Sequence, residues 1–212
     1  MNRTFYVFGT FFLALLAAIG IFQSIIHFQL DNQIFALESL DKWILVVIVV
    51  SSIAFLFSLK YFHFKEYRFA FYSGIFFAIA TFFYLIVLYR IVAARELQNL
   101  YMPMVIVLFV TTFVHAMSLI ISPAGDRTCL RASGICMFAV NLVLGSVFLW
   151  SMGSPDFKTQ EIAREISQWA ALLNQLFPVL FIVNFEIERK ESMGRQKAIS
   201  FPKNLESSLI FV

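Results

Sequence analysis

Six residues carry most of the chemistry available inside the apolar runs of this sequence: His115, Asn141, Asn174, Gln175, Pro178 and Glu186. An imidazole such as His115 can donate, accept or relay a proton, and an ionisable group deep in an apolar segment defaults to a functional site. The amides of Asn141 and Gln175 can bond across helices. Pro178 has no N–H, so a helix running through it leaves the Asn174 carbonyl without its partner and marks a kink, a hinge or a cavity wall. The stretch that holds four of the six reads QWAALLNQLFPVLFIVNFEIERK. At about 100° per residue, Gln168, Gln175 and Glu186 fall within about 20° of one line. That spacing predicts a stripe, filled in by Leu172, Val179 and Ile182, that faces other helices while Phe177 and Phe181 face elsewhere.

The elements that must position these groups follow from composition. Hydrophobic residues make up 60% of the chain and charged residues only 14%, whereas a soluble domain averages about 25% charged. Lipid is therefore the expected solvent, and the 27 phenylalanines spread through the apolar runs suit lipid-facing packing. Segments near residues 5–30, 43–64, 69–92, 101–121, 132–152 and 168–185 approach or exceed the roughly 20 apolar residues that cross a hydrocarbon core about 30 Å thick. They are continuous and lack strand alternation, so the reading is an all-α polytopic transmembrane bundle of about six spans over residues 1–188. Measured at about 1.5 Å per residue from the outer ends, His115 lies roughly 21 Å deep, Asn141 roughly 16 Å and Gln175 roughly 10 Å. Neighbouring pairs are expected to form a small polar cluster, with Asn141 the favoured partner of both His115 and Gln175.

Charge sets the orientation, because cytoplasmic loops retain Lys and Arg. One side holds eleven: Arg3, Lys60, Lys65, Arg68, Arg127, Arg131, Arg189, Lys190, Arg195, Lys197 and Lys203. The other holds five: Lys42, Arg90, Arg95, Lys158 and Arg164. Both termini are then expected in the cytosol, with acidic outer clusters at Asp31, Glu38 and Asp41 and at Asp156, Glu161 and Glu165. Topology accounts for the basic residues without nucleic acid, since they cap apolar runs and form no single patch. Arg3 and the small residues Ala17, Ala18 and Gly20 offer a signal-peptide reading, but hydrophobicity continues to Ile26, past the usual signal core of roughly 7 to 15 residues. An uncleaved first span is expected. Asn2-Arg3-Thr4, the glycosylation triplet, falls on the cytosolic side. Cys129 and Cys136 show no disulfide or metal pattern.

Between the spans, residues 153–167 are too few for a core of their own, and 160–166 are expected to form a short surface helix with Ile162 and Ile166 on one face. Residues 189–212 read as a flexible cytosolic tail. Its last residues, Leu209-Ile210-Phe211-Val212, offer a strand that a peptide-binding domain can take up. Small-x-x-x-small spacings at Ala14 and Ala18, at Gly74 and Ala78, and along Gly134, Ala139 and Gly145 support a compact bundle.

The catalytic signatures of membrane enzymes are not evident. No Asp lies inside a span, and no Asp pair, Ser-His pair, HExxH helix, phosphate-cradling loop, dinucleotide fingerprint or Cys/His metal spacing is found. Glu186 sits at a span end, within reach of Arg189 and Lys190. No enzyme activity, cofactor or metal is expected.

The second half of the chain resembles the six-span family of DRAM-type autophagy modulators and their relatives in lipid-anchor remodelling. Gln168-Trp169 opens the final span where those proteins tend to have an acidic residue and an aromatic, Asn184-Phe185 closes it where Asp-Phe is usual, and Ile120-Ile121-Ser122 is similar to the end of their fourth span. The first outer loop is shorter than theirs. The Asn-Phe-Gln of their third span and the His-x-x-Gly of their fourth are missing. The resemblance implies a non-enzymatic regulator in a eukaryotic plasma membrane or endomembrane, lysosomal or Golgi: an autophagy modulator, a lipid-anchor maturation factor or a scaffold. From the residues themselves come two function classes. One is an accessory or scaffold protein whose partners are the lipid bilayer and other membrane proteins; the other is a small channel or carrier using the Pro178 kink and the region around His115, Asn141 and Gln175.

Overall fold

The computed structural model describes residues 3–30, 40–121, 128–153 and 156–200, with side chains placed over 3–25, 40–121, 128–153 and 156–191. Seven α-helices make up the described chain: α1 Arg3–Leu30, α2 Leu40–Phe64, α3 Arg68–Ala94, α4 Gln98–Ile121, α5 Thr128–Gly153, α6 Phe157–Leu173 and α7 Leu176–Ser200. Six spans are long and apolar enough to cross a membrane, the sixth being α6 and the first part of α7 together, Phe157–Glu191. The all-α six-span reading therefore holds. Its first five boundaries fall within a few residues of those expected from the apolar runs.

From α1 to α6 each helix packs on the next, and the ring closes where α6 and α7, which follow one another along the sixth span, meet α1 and α5. Small and polar residues point inward, among them Ala17, Ser51, Ala54, Ser73, Ala116, Ser118 and Ser133, while Phe11, Leu56, Phe76, Phe83 and Leu149 are exposed. This arrangement suits lipid, where apolar side chains gain little by turning inward and helices associate through close backbone approach and hydrogen bonds. Gly134 shows the principle: a Cβ there would lie 2.9 Å from the Ala116 carbonyl oxygen of α4. Gly74 likewise lies against Leu59 and His115. Ala14 and Ala18, by contrast, are exposed and Ala17 is the buried one, so the expected small-residue contact in α1 is corrected.

Aromatic rings fill the end of the bundle where α1 starts and α2 ends. Phe185 lies edge-on to Tyr6 and 5.0 Å, centroid to centroid, from Tyr61; Phe62 and Phe181 meet edge-on at 5.6 Å. Tyr61, Phe62, Phe181 and Phe185 are almost wholly buried. Beside them α2 ends in a Schellman turn: the Tyr67 N–H bonds the Phe62 carbonyl at 3.0 Å and the Glu66 N–H bonds His63 at 3.2 Å. Glu66 holds the left-handed position, with φ 58°, that glycine usually occupies.

Two expectations change. The surface helix at 160–166 is not separate but forms the middle of α6. Its Ile162 is exposed and Ile166 half-buried. The last helix does not stop near Phe185 but continues to Ser200, so the expected tail begins in helix. The acidic residues Asp31 and Glu38, the triplet residue Asn2, Ser122, Arg127 and the Leu209-to-Val212 strand lie outside the described residues.

Candidate functional site

Two polar clusters and one helix break are the features that the fold builds for function. The first cluster centres on His115, which α4 buries to 3% exposure between α2 and α3. Its ring stacks on Phe77 at 5.3 Å and meets Phe62 edge-on. Its Nδ1 lies 3.0 Å from Ser73 Oγ, Ser73 Oγ lies 2.6 Å from Ser118 Oγ, and Ser118 Oγ donates to the His115 carbonyl at 2.6 Å. Ser73 Oγ also lies 3.3 Å from the Ala70 carbonyl, and the ring and the two hydroxyls together form a clasp between α3 and α4.

The second cluster joins α7 to α2 and is where sequence reasoning looked at the wrong glutamate. Glu188, only 4% exposed, accepts from Lys65 Nζ at 2.5 Å and from the Tyr61 hydroxyl at 3.4 Å. Asn184 Nδ2 donates to the same Tyr61 oxygen at 2.9 Å. Glu186, the residue singled out, pairs with Arg189 at 2.7 Å, as its spacing implied, and stays partly exposed. A signal for the missed cluster was present: Phe181, Asn184, Phe185 and Glu188 fall at i, i+3, i+4 and i+7, one face of a helix. Tyr61 and Lys65 are likewise one turn apart.

The break lies at Asn174 and Gln175, where α6 ends and α7 begins. Pro178 is therefore not in a helix interior but in the first turn of α7, where its missing N–H would have had no helical partner. The Asn174 carbonyl is not orphaned, since the Phe177 N–H reaches it at 3.2 Å. The predicted glutamine stripe fails because another face is the inward one: on the same count of about 100° per residue, Ala163, Ala170, Phe181 and Glu188 fall within about 20° of one line across the break, and all four are buried. Phe181 and Phe185 of α7 face inward, Val179 is 39% exposed, and Gln168 is buried on α6.

The expected cluster of His115, Asn141 and Gln175 is not assembled. His115 bonds the two serines instead. Asn141 is buried on α5 with its Nδ2 unpartnered among the described residues. Gln175 turns its Nε2 toward the Ala171 carbonyl of α6 at 3.4 Å and packs its amide on Gly20 of α1. Neighbours settle this: α1 occupies the side of the break on which Gln175 emerges.

Two lateral clefts mark the wall of the bundle. One of about 310 Å³ lies between α2 and α3, lined by Ser51, Ser52, Phe55, Thr81 and Phe82 among others. The Ser52 and Thr81 hydroxyls are already bonded to carbonyls one turn back. The other, about 220 Å³, lies between α5 and α6 beside Ala139, Val143, Trp169 and Ala170. Neither is lined by His115, Asn141 or Gln175. Among the described residues no group of three or more His, Cys, Asp or Glu is placed to hold a metal ion. Compared with family models, with curated proteins and with solved structures, the chain finds no match.

Proposed function

We propose that this multi-pass membrane bundle is a non-enzymatic accessory or scaffold protein, acting through contacts with lipid and with the helices of other membrane proteins. The observation that supports this reading is how its interior polar groups are used. His115 is spent on Ser73 and Ser118, and Glu188 on Lys65 and Tyr61. Groups consumed in joining helices are not free to pass a solute or a proton. The two clefts open on the lateral wall and have largely apolar linings. A cytosolic placement of the basic end fits the eleven-to-five charge bias. The likeness of the second half to DRAM-type proteins makes a modulator of autophagy or membrane trafficking the finer form of the proposal.

Native purification from the source membrane, with identification of retained proteins and lipids, tests the reading. Stable retention of other membrane proteins is expected, together with no solute flux above empty vesicles after reconstitution. Saturable flux that is lost in His115→Leu or Gln175→Leu would replace it with the second reading, a small channel or carrier. That alternative is favoured by one observation, the discontinuous sixth span, since carriers build substrate sites at such breaks.

A further inference from the structure

We propose that the cleft between α2 and α3 is a lipid-tail site that takes one hydroxylated acyl chain of a membrane lipid, with the chain's hydroxyl bonded to Ser51. The inference rests on the scaffold reading and deepens its lipid contact by naming the lipid.

Ser51 carries the argument because it is the exception among its neighbours. The hydroxyls of Ser52, Ser58 and Thr81 each donate to a carbonyl one turn back, at 2.7, 3.0 and 2.8 Å. Ser51 lines the cleft at 6% exposure and makes no hydrogen bond among the described residues. A hydroxyl so placed has neither water nor a protein partner, and leaving it unpaired is costly. Depth narrows what can reach it. On α2, Ser51 stands about 20 Å from the helix end at Phe64 and about 13 Å from Lys42 near the other end, so no headgroup meets it in a core about 30 Å thick. A lipid can offer it a polar atom only on a hydrocarbon chain.

The shape of the cleft selects a single chain. Its lining on α2 runs from Ile48 to Leu59, about 16 Å along the helix. Acyl chains lie in the same direction. Since α2 and α3 pack against one another, the gap between them does not admit the body of a third helix, about 10–12 Å across with its side chains. Such a helix would rest on Leu56, Phe82 and Phe83, which are 66%, 44% and 55% exposed, and leave Ser51 beneath it. A plain chain fills the cleft against Phe55 and Ile79 but leaves the serine unpaired. A chain hydroxyl at that depth does both, and because each hydroxyl is donor and acceptor the bond forms in either sense.

The test uses the full chain reconstituted in phosphatidylcholine vesicles with a trace of phosphatidylcholine carrying a photoactivatable acyl chain, and cross-linked residues are read by mass spectrometry. Labelling is expected to concentrate on Phe55 and Phe82 above Leu149, which is 71% exposed on α5. Unlabelled phosphatidylcholine with a mid-chain hydroxystearoyl group should compete about threefold better than its stearoyl counterpart, the range of one side-chain hydrogen bond in a membrane. Ser51→Ala should remove that preference and keep the labelling, and Ala78→Phe should fill the cleft and remove the labelling there alone. Equal labelling of the cleft and Leu149 overturns the inference, as does equal competition by the two lipids or a preference that survives Ser51→Ala. A cleft without lipid, in a protein that still retains membrane partners on native purification, sinks the site and leaves the scaffold reading standing. Solute flux sinks the scaffold reading itself.

Discussion

Glu188 and Lys65 are 123 residues apart in sequence and 2.5 Å apart in space. They tie the last span to the second at the basic end of the bundle, with the carboxylate buried and the ammonium 27% exposed. Removing one partner of a buried pair leaves an uncompensated charge, a loss of about 3–5 kcal/mol in full burial. With Lys65 in part reach of solvent, Lys65→Met is expected to cost about 2–3 kcal/mol. The double variant Lys65→Met/Glu188→Leu should recover most of it. Chemical unfolding in detergent micelles measures both, and a silent Lys65→Met would show that the pair is ornamental.

His115 offers a contrast between two candidate partners. A double-mutant cycle of His115→Leu with Ser73→Ala is expected to give a coupling near the membrane average of about 0.6 kcal/mol, and no more than about 1.7. The cycle of His115→Leu with Asn141→Leu should give none. Coupling to Asn141 equal to that with Ser73 would contradict the clasp described above.

Pro178→Ala is expected to be mild. The proline sits in the first turn of α7, so restoring its N–H completes no helical bond. The residual effect is a loss of under about 1 kcal/mol through the freer unfolded chain. A thermal shift in detergent corresponding to several kcal/mol, in either direction, would show that the ring itself shapes the break.

Gly134→Ala and Gly20→Ala should differ although both sites are crowded. At Gly134 a Cβ meets the Ala116 backbone and Leu119 Cβ, each at 2.9 Å, and neither can swing away. A cost of about 1–3 kcal/mol is expected from such overpacking. At Gly20 the obstacle is the amide of Gln175, the far end of a flexible side chain. Unfolding of the two variants under the same conditions should place Gly20→Ala nearer the parent, and the reverse order would refute the packing described for α4 and α5.

Glu66→Gly is expected to stabilise. A non-glycine residue in the left-handed conformation carries roughly 1 kcal/mol of strain that glycine lacks, and Glu66 has φ 58°. A raised unfolding midpoint checks this. A lowered one would mean that the Glu66 side chain contributes more than its backbone costs.

The spans were legible because runs of about 20 apolar residues admit few other folds, and the turns at Lys65 to Arg68 and Arg95 to Leu97 interrupt them sharply. The interior was less so. The inward face of the sixth span is marked by Ala163, Ala170, Phe181 and Glu188, a mixture of small, aromatic and charged residues that the pattern of its amides does not reveal. Depth along a span follows from counting, but the identity of the neighbouring helix does not, so counting pairs His115 with Asn141 of α5 where the fold pairs it with Ser73 of α3. Glu188 is hidden in the sequence because a charge near a span end is expected in the headgroups, yet it is buried. Its place on the Phe181 and Phe185 face carried more information than its charge.

The contact of α7 with α1 has a consequence for how the molecule is made. The first five spans leave the ribosome as an open arc whose inner wall includes Tyr6, Tyr61 and Lys65, and the surfaces that cover them belong to a helix not yet synthesised. Loop-closure entropy makes such distant contacts slow to form, and exposed interior surface invites wrong pairing in the meantime. Asn184, Phe185 and Glu188 can therefore cover that wall only once α7 has been made, and a ribosome-stalled chain lacking α7 should leave Tyr61 and Lys65 open to chemical labelling.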